Sequence, residues 1–201
     1  PQGTVVSEEE GSVTGKEVTD MTGLHAWHKA PGVTWVAVQG LGDEATIRAI
    51  GMVFKLHSVA LEKAVTVPQR AKTELYDGYQ LIIARTPDIA ENGSVRTPQV
   101  CIIVGKEYVI PFQERFFGFF DPVRARLESG AGVMRTHGPD YLAYALIDIM
   151  IDRYYPVVQT ISENLEELED FVVENPHPEV LNRVHRMRRK LVVLRRVGWP
   201  Q

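Results

Sequence analysis

Cysteine is nearly absent. The one thiol, Cys101, excludes an intramolecular disulfide framework and any zinc site built on cysteines. No run of about 18 apolar residues occurs, so no segment reads as crossing a bilayer. Residues Pro1–Glu10 lack the basic stretch and apolar core of a secretory signal. A surplus of positive charge is also missing. Twenty-two Lys and Arg stand against 26 Asp and Glu, a net charge of −4, whereas a dedicated nucleic-acid binder leans the other way. Strong compositional bias is lacking too. With 44% hydrophobic and 24% charged residues, 16 Gly and 12 Pro, the chain falls outside the collagenous, low-complexity and disordered classes.

What is present suits one compact domain with an appendage in 201 residues. The chain opens on Pro and stops at Trp199-Pro200-Gln201 straight after a helical pattern, so it is expected to be a piece of something longer. Residues 1–30 are rich in Gly, Thr and Glu, and only Thr4-Val5-Val6 and Val18 hint at short strands. Trp35-Val36-Ala37-Val38 reads as a strand. Asp43 is placed to cap a helix carrying Ile47, Ile50, Val53 and Phe54 on one face. A short helix is expected over Ser58–Ala64, and Tyr79–Ala84 reads as a covered central strand. Val100–Val104 and Tyr108–Phe112 flank Gly105-Lys106-Glu107 as a hairpin, with Cys101 as a small buried hydrophobe in a reducing compartment. Asp121-Pro122 starts a helix that stops at Ser129-Gly130.

The last third changes character. From Asp140 to Glu174 there is no glycine and the pattern is helical, with a kink or break expected at Pro156. Val158, Ile161, Leu165, Leu168 and Val172 recur at alternating spacings of three and four. After the turn Asn175–Pro178, so do Val180, Val184, Met187, Leu191 and Leu194. The two helices must run antiparallel. Val158, Ile161, Leu165 and Leu168 are expected to face Val184, Met187, Leu191 and Leu194. One helix carries Glu163, Glu166, Glu167, Asp170 and Glu174, and the other seven Arg and Lys residues between 183 and 196, so their charges are expected to complement each other. The expected organisation is an α/β body over residues 1–137 and a long helical hairpin over 138–201.

Candidate chemistry is sparse. Gly11–Lys16 looks superficially like a phosphate loop but is one residue short, with Glu17 where Ser or Thr belongs, and reads as a flexible loop. His25 and His28 could share a metal on a helix, without a third ligand nearby. The basic run His185–Arg196 could bind phosphates, but an adjacent acidic helix would neutralise it, so no nucleic-acid partner is expected. No nucleophile elbow and no acid/base pair stands out, so the chain reads as non-enzymatic. Asp140, Asp148 and Asp152 lie on one helix. Asp148 interrupts the apolar run Ala145–Asp152, which points either to a cation or subunit interface or to an exposed stripe. Carboxylates with few soft ligands fit a hard divalent ion such as Mg²⁺ or Ca²⁺.

From about Thr34 onward the sequence resembles the CorA family of divalent-cation transporters. The resemblance rests on Trp35, the block Phe54–Glu62, Arg70-Ala71-Lys72-Thr73-Glu74, Asp121–Leu127, Asp140–Asp148, Leu168-Glu169-Asp170, the basic helix and Trp199-Pro200. It implies an α/β fold, an α/β/α sandwich with a mixed sheet followed by the long antiparallel helical hairpin. It implies that this chain is the regulatory domain on the cytoplasmic side of a cell inner membrane protein. That full-length protein would be a homopentamer, anchored by C-terminal transmembrane helices absent here. In the family, Mg²⁺ held between neighbouring cytosolic domains favours the closed state. The positions that match are Glu62 and Asp148. The usual Asp after that Glu is replaced by Lys63, which weakens the site. The Lys63 ammonium would either pair with a neighbouring subunit's carboxylate or point to solvent. A zinc transporter resembling ZntB, or a stand-alone binding or scaffold module of the same fold, are the alternatives.

Overall fold

The structure, a computed structural model, describes residues 2–9, 12–18, 32–130, 133–174 and 179–198. His25, His28 and the turn 175–178 lie outside the described residues. The chain begins β1 (Gln2–Glu9), β2 (Ser12–Val18), β3 (Val33–Gln39), α1 (Glu44–Val53), α2 (Ser58–Val65), β4 (Lys72–Tyr76) and β5 (Tyr79–Arg85). It continues β6 (Asp88–Ile89), β7 (Val95–Arg96), β8 (Gln99–Gly105), β9 (Tyr108–Gln113), α3 (Asp121–Ser129), a 3₁₀ turn (Met134–Thr136), α4 (Pro139–Asp152), α5 (Tyr154–Glu174) and α6 (Glu179–Gly198). Two compact units result, Pro1–Ala84 with Gln99–Ile149, and Arg85–Pro98 with Met150–Gln201.

The first unit is built on a seven-stranded sheet in the order β2-β1-β3-β9-β8-β5-β4. β3 and β9 are parallel, while β1/β2, β1/β3, β8/β9 and β4/β5 are antiparallel, which makes the sheet mixed. Trp35, Val36, Ala37 and Val38 are all buried, as are Val100 to Ile103 and Val109, Ile110 and Phe112. Successive residues point to opposite faces, so the central strands are apolar throughout because both faces are covered. On one face α1 and α2 pack Ile47, Ile50, Phe54 and Ala60 against Val36, Leu81, Ile103 and Ile110. On the other, the Trp35 ring meets the edge of Phe120, which precedes α3, at 6.5 Å, and Arg124 lies over it at 5.9 Å. This is the α/β/α sandwich that the resemblance implied.

Local chemistry sets the helix ends. Asp43 Oδ1 accepts the Ala45 amide at 3.1 Å, capping α1. His57 Nδ1 accepts the Val59 amide at 3.2 Å, capping α2. Gly130 ends α3 in the left-handed region at φ 69°, and Arg135 closes that end by donating to the Leu127 and Glu128 carbonyls at 2.7 Å. Three local expectations change. Ser12–Lys16 is not a loop but part of β2, paired with β1 through Val5 opposite Lys16 and Val6 opposite Gly15. β5 is buried on alternate residues only, since β4 beside it ends the sheet. The break near Pro156 falls at Arg153 instead. α5 restarts at Tyr154, which puts the proline in its first turn, where the missing N–H has no helical partner to lose.

In the second unit α5 and α6 lie side by side. Val157, Ile161 and Met187 form a small core with Leu194 and with Ile89 and Val95 of the β6–β7 hairpin. Arg183, early in α6, stacks over Phe171, late in α5, at 4.0 Å from the ring centroid, so the helices are antiparallel as expected. Asp88 ties the hairpin down, accepting from Arg96 Nε at 2.6 Å and from Arg153 at 2.8 Å. The seam differs from the expected one. Ile161, Leu168 and Met187 are buried in it, but Val158, Leu165, Val184 and Leu191 are 40–49% exposed. A strict seven-residue repeat drifts around an α-helix by about 20° per repeat, so the stripe 158/165/172 slides off the seam and Val157 takes its place. Charges of opposite sign do come together, Glu167 of α5 with Arg183, Arg186, Arg189 and Lys190 of α6, but without close pairing. Among the described residues no ion pair joins an acid of α5 to a base of α6.

Candidate functional site

α2 presents the two residues that mattered in the sequence side by side, in different surroundings. Ala60 and Ala64 are buried against the sheet, which fixes the helix face; Glu62 is exposed and Lys63 half-buried. Lys63 does not reach out to solvent. Its Nζ donates to Glu74 Oε2 at 2.5 Å and to the Tyr76 hydroxyl at 3.3 Å. Lys72 Nζ stands 3.1 Å from the other Glu74 oxygen, and the Tyr76 hydroxyl donates to Oε2 at 3.0 Å. The Tyr76 ring stacks on Tyr79 with centroids 5.0 Å apart, and the Tyr79 hydroxyl accepts the His57 amide at 2.9 Å. The aromatic pair thus joins β4 and β5 to the cap of α2.

The electrostatics follow from this convergence. Lys63 first, then Lys72, hold the Glu74 carboxyl down at about 2. Glu74, with Tyr76 behind it, raises the Lys63 ammonium above its ordinary value. Burial, then the Glu74 carboxylate, raises the Tyr76 hydroxyl. The lysine expected to meet a neighbouring subunit's carboxylate, or water, is held by a carboxylate of its own chain.

Asp148 sits on α4, whose Leu142, Ala143, Ala145 and Leu146 are buried. Its carboxylate is exposed and accepts the Tyr144 hydroxyl at 3.5 Å. Asp140 and Asp152 are exposed on the same helix. Of the two readings of this acid, one chain by itself displays the exposed stripe. Among the described residues no three His, Cys, Asp or Glu side chains gather to hold a metal ion. Glu62 and Asp148 therefore do not complete a ligand set among the described residues. Two exposed carboxylates fit Mg²⁺ only as a loosely held ion that keeps most of its water. Cys101, 1% exposed on β8, is no ligand either; burial pushes its thiol up to about 12.

The family model described as "CorA-like Mg2+ transporter protein" matches residues 31–201. The chain belongs to the CorA family. It is 32% identical over 185 residues to the cobalt/magnesium transport protein CorA of Thermotoga maritima, covering 92% of this chain and 53% of that protein. It is 28% identical to the putative metal ion transporter YfjQ of Bacillus subtilis, covering 85% and 52%. The chain thus spans about half the length of the curated relatives it matches. Among solved structures, the soluble domain of CorA from Methanocaldococcus jannaschii superposes with a TM-score of 0.76 at 14% identity, covering 97% of this chain and 74% of that one. The ZntB cytoplasmic domain of Vibrio parahaemolyticus gives 0.75 at 15% identity, covering 100% and 75%. At those identities the likeness is one of fold. Among the described residues of this CorA-family chain, no helix is long and apolar enough to cross a membrane.

Sequence reasoning missed Glu74 as the partner of Lys63. The two are 11 residues apart, on a helix and on a strand, and no helical or strand period links them. It also missed Asp88 with its two arginines. The one available signal was compositional, an acid isolated among Arg85, Arg96 and Arg153.

Proposed function

We propose that this chain is the cytosolic domain of a divalent-cation transporter of the CorA kind, lying on the cytoplasmic face of a membrane and contributing to metal-sensing gating of a homopentamer. The observation that carries the reading is the family match across residues 31–201, on a chain whose mixed sheet and helical hairpin have the fold of CorA-type soluble domains. The role is regulatory and not enzymatic, in keeping with relatives that are named as transporters. Mg²⁺ is both the cargo and the gating ligand in this reading. An ion shared between carboxylates of adjacent subunits stabilises whichever arrangement brings them together. Glu62 and Asp148, both exposed, are the acids available for it. Lys63 is bound to Glu74 and supplies no ligand, so the closed state depends on Mg²⁺ less than an Asp at that position would allow.

The test uses the full-length parent protein in proteoliposomes. Mg²⁺ entry should be detected with an internal indicator dye, and Mg²⁺ should protect the cytosolic part from trypsin. Glu62→Gln with Asp148→Asn should weaken that protection. Absence of divalent flux defeats the transport assignment. Protection that is strong and unaffected by the double substitution defeats the gating role of these acids. The fold is shared with a ZntB domain, so Zn²⁺ flux is measured alongside; the oxygen-only donors favour Mg²⁺.

A further inference from the structure

The second unit contains a groove of about 560 Å³ between the β6–β7 turn and the facing sides of α5 and α6. Arg183, Arg186, Arg189 and Lys190 line it, and Glu167 is its one carboxylate. Leu168, Met187 and Val193 supply an apolar floor. The cations are spaced three and four apart on α6, where like charges repel, and among the described residues Arg186, Arg189 and Lys190 make no ion pair with the acids of α5. Arg183 is already oriented by Phe171, with its guanidinium 4.0 Å from the ring centroid. At the turn, Asn92 Oδ1 accepts the Ser94 amide at 3.0 Å and the Ser94 hydroxyl at 2.6 Å, which fixes the side chain, and its NH₂ donates to no partner among the described residues. The NH₂ of Asn164 donates to the Thr160 carbonyl, which leaves its side-chain oxygen as an acceptor.

We propose that this groove binds a nucleoside polyphosphate. Guanidinium groups match phosphate oxygens in pairs, and Arg186 and Arg189, with the Lys190 ammonium beside them, offer a row of positive charges. A bare phosphate needs neither the volume nor the apolar floor, whereas a base needs both, together with the donor of Asn92 and the acceptor of Asn164. Pockets of this size with a few fixed polar groups are the usual form of small-ligand sites. An extended nucleic-acid strand fits less well. Glu167 stands in the groove, and the chain's net charge of −4 repels such a strand.

The experiment is calorimetric titration of the 201-residue chain with ATP in EDTA at low salt, which removes metal sensing from the readout. Parallel titrations use adenosine, tripolyphosphate and a DNA duplex. One saturable ATP site is expected, with tripolyphosphate several-fold weaker and adenosine much weaker. Arg186→Gln with Arg189→Gln, both exposed, should weaken ATP at least tenfold at an unchanged melting temperature. Arg188→Gln with Arg195→Gln, outside the groove, should leave it within twofold. If the first pair fails to fold, amide shifts of Gly93, Ser94 and Lys190 in the unaltered chain carry the test, and ATP must move them. The proposal fails if ATP does not saturate at millimolar concentration or leaves those amides unmoved. It fails equally if both arginine pairs act alike, if tripolyphosphate binds as tightly as ATP, or if the duplex binds more tightly.

Discussion

Replacing Glu74 by Gln removes the carboxylate on which Lys63, Lys72 and Tyr76 converge while keeping its shape. A carboxyl held at about 2 instead of 4.5 corresponds, unscreened, to roughly 3 kcal/mol of linkage free energy. The Lys63 and Glu74 side chains are 29% and 28% exposed, so water and salt reduce that to about 1 kcal/mol. The sign is fixed by the direction of the shift. Because the folded value is depressed, the contribution is complete above the usual carboxylate range and disappears as pH falls towards 2. Near neutral pH, Glu74→Gln should therefore melt about 2–4 °C below the parent chain. The gap should close as pH falls through 4 and 3, and shrink in molar salt. Circular dichroism melts and urea titrations at several pH values measure it. Glu44→Gln is the control, since its pair with Arg48 is 73–78% exposed and should count for almost nothing. A gap that persists unchanged at low pH, or in high salt, would mean that packing of the Tyr76–Tyr79 stack and not charge accounts for the loss.

Three further outcomes test the packing. Leu168→Ala should cost about 2–4 kcal/mol and Leu165→Ala less than about 1.5, because Leu168 is 7% exposed and Leu165 40%; equal costs in urea unfolding would contradict the seam described for α5 and α6. Gly105→Ala should cost about 1–3 kcal/mol, since a Cβ there would lie 2.3 Å from the ring of Tyr108, a buried residue packed on Phe54; an unchanged melting temperature would show that the ring moves freely. The Cys101 thiol, with its titration pushed up to about 12 by burial, should not react with a disulfide reagent near pH 8 until urea unfolds the sheet, and prompt labelling of the native chain would refute its burial.

What was legible in the sequence was carried by neighbours along the chain. Asp43 announces α1 because its side chain reaches an amide two residues on, and Gly130 ends α3 because it alone accepts the left-handed backbone there cheaply. The strands β3, β8 and β9 were visible because burial on both faces leaves no polar residue to blur the run. β1 and β2 were faint for the opposite reason: their sequences, QGTVVSEE and SVTGKEV, carry too few apolar residues to mark a strand, and their pairing is what defines them. The hairpin seam was half legible. The alternating three-and-four spacing identified two helices and their antiparallel course, but it fits two neighbouring stripes, and only the β6–β7 hairpin seated on Val157 and Ile161 chooses between them.

The same division between local and distant governs the candidate site. Position 63 could be aligned with the family's acid from sequence, and its change of charge was plain. What that charge does was not, because the answer lies on another element. An ammonium exposed on α2 would be a cation offered to whatever approaches. Bound to Glu74, with Lys72 on the other oxygen, it is part of a cluster that already holds two positive charges against one negative. With the neighbouring Glu62 carboxylate counted, the four charges sum to zero, so a divalent ion approaching from solvent meets no net negative charge there. In the proposed reading this is why Lys63 weakens Mg²⁺ binding at Glu62, although the ammonium itself stays on Glu74.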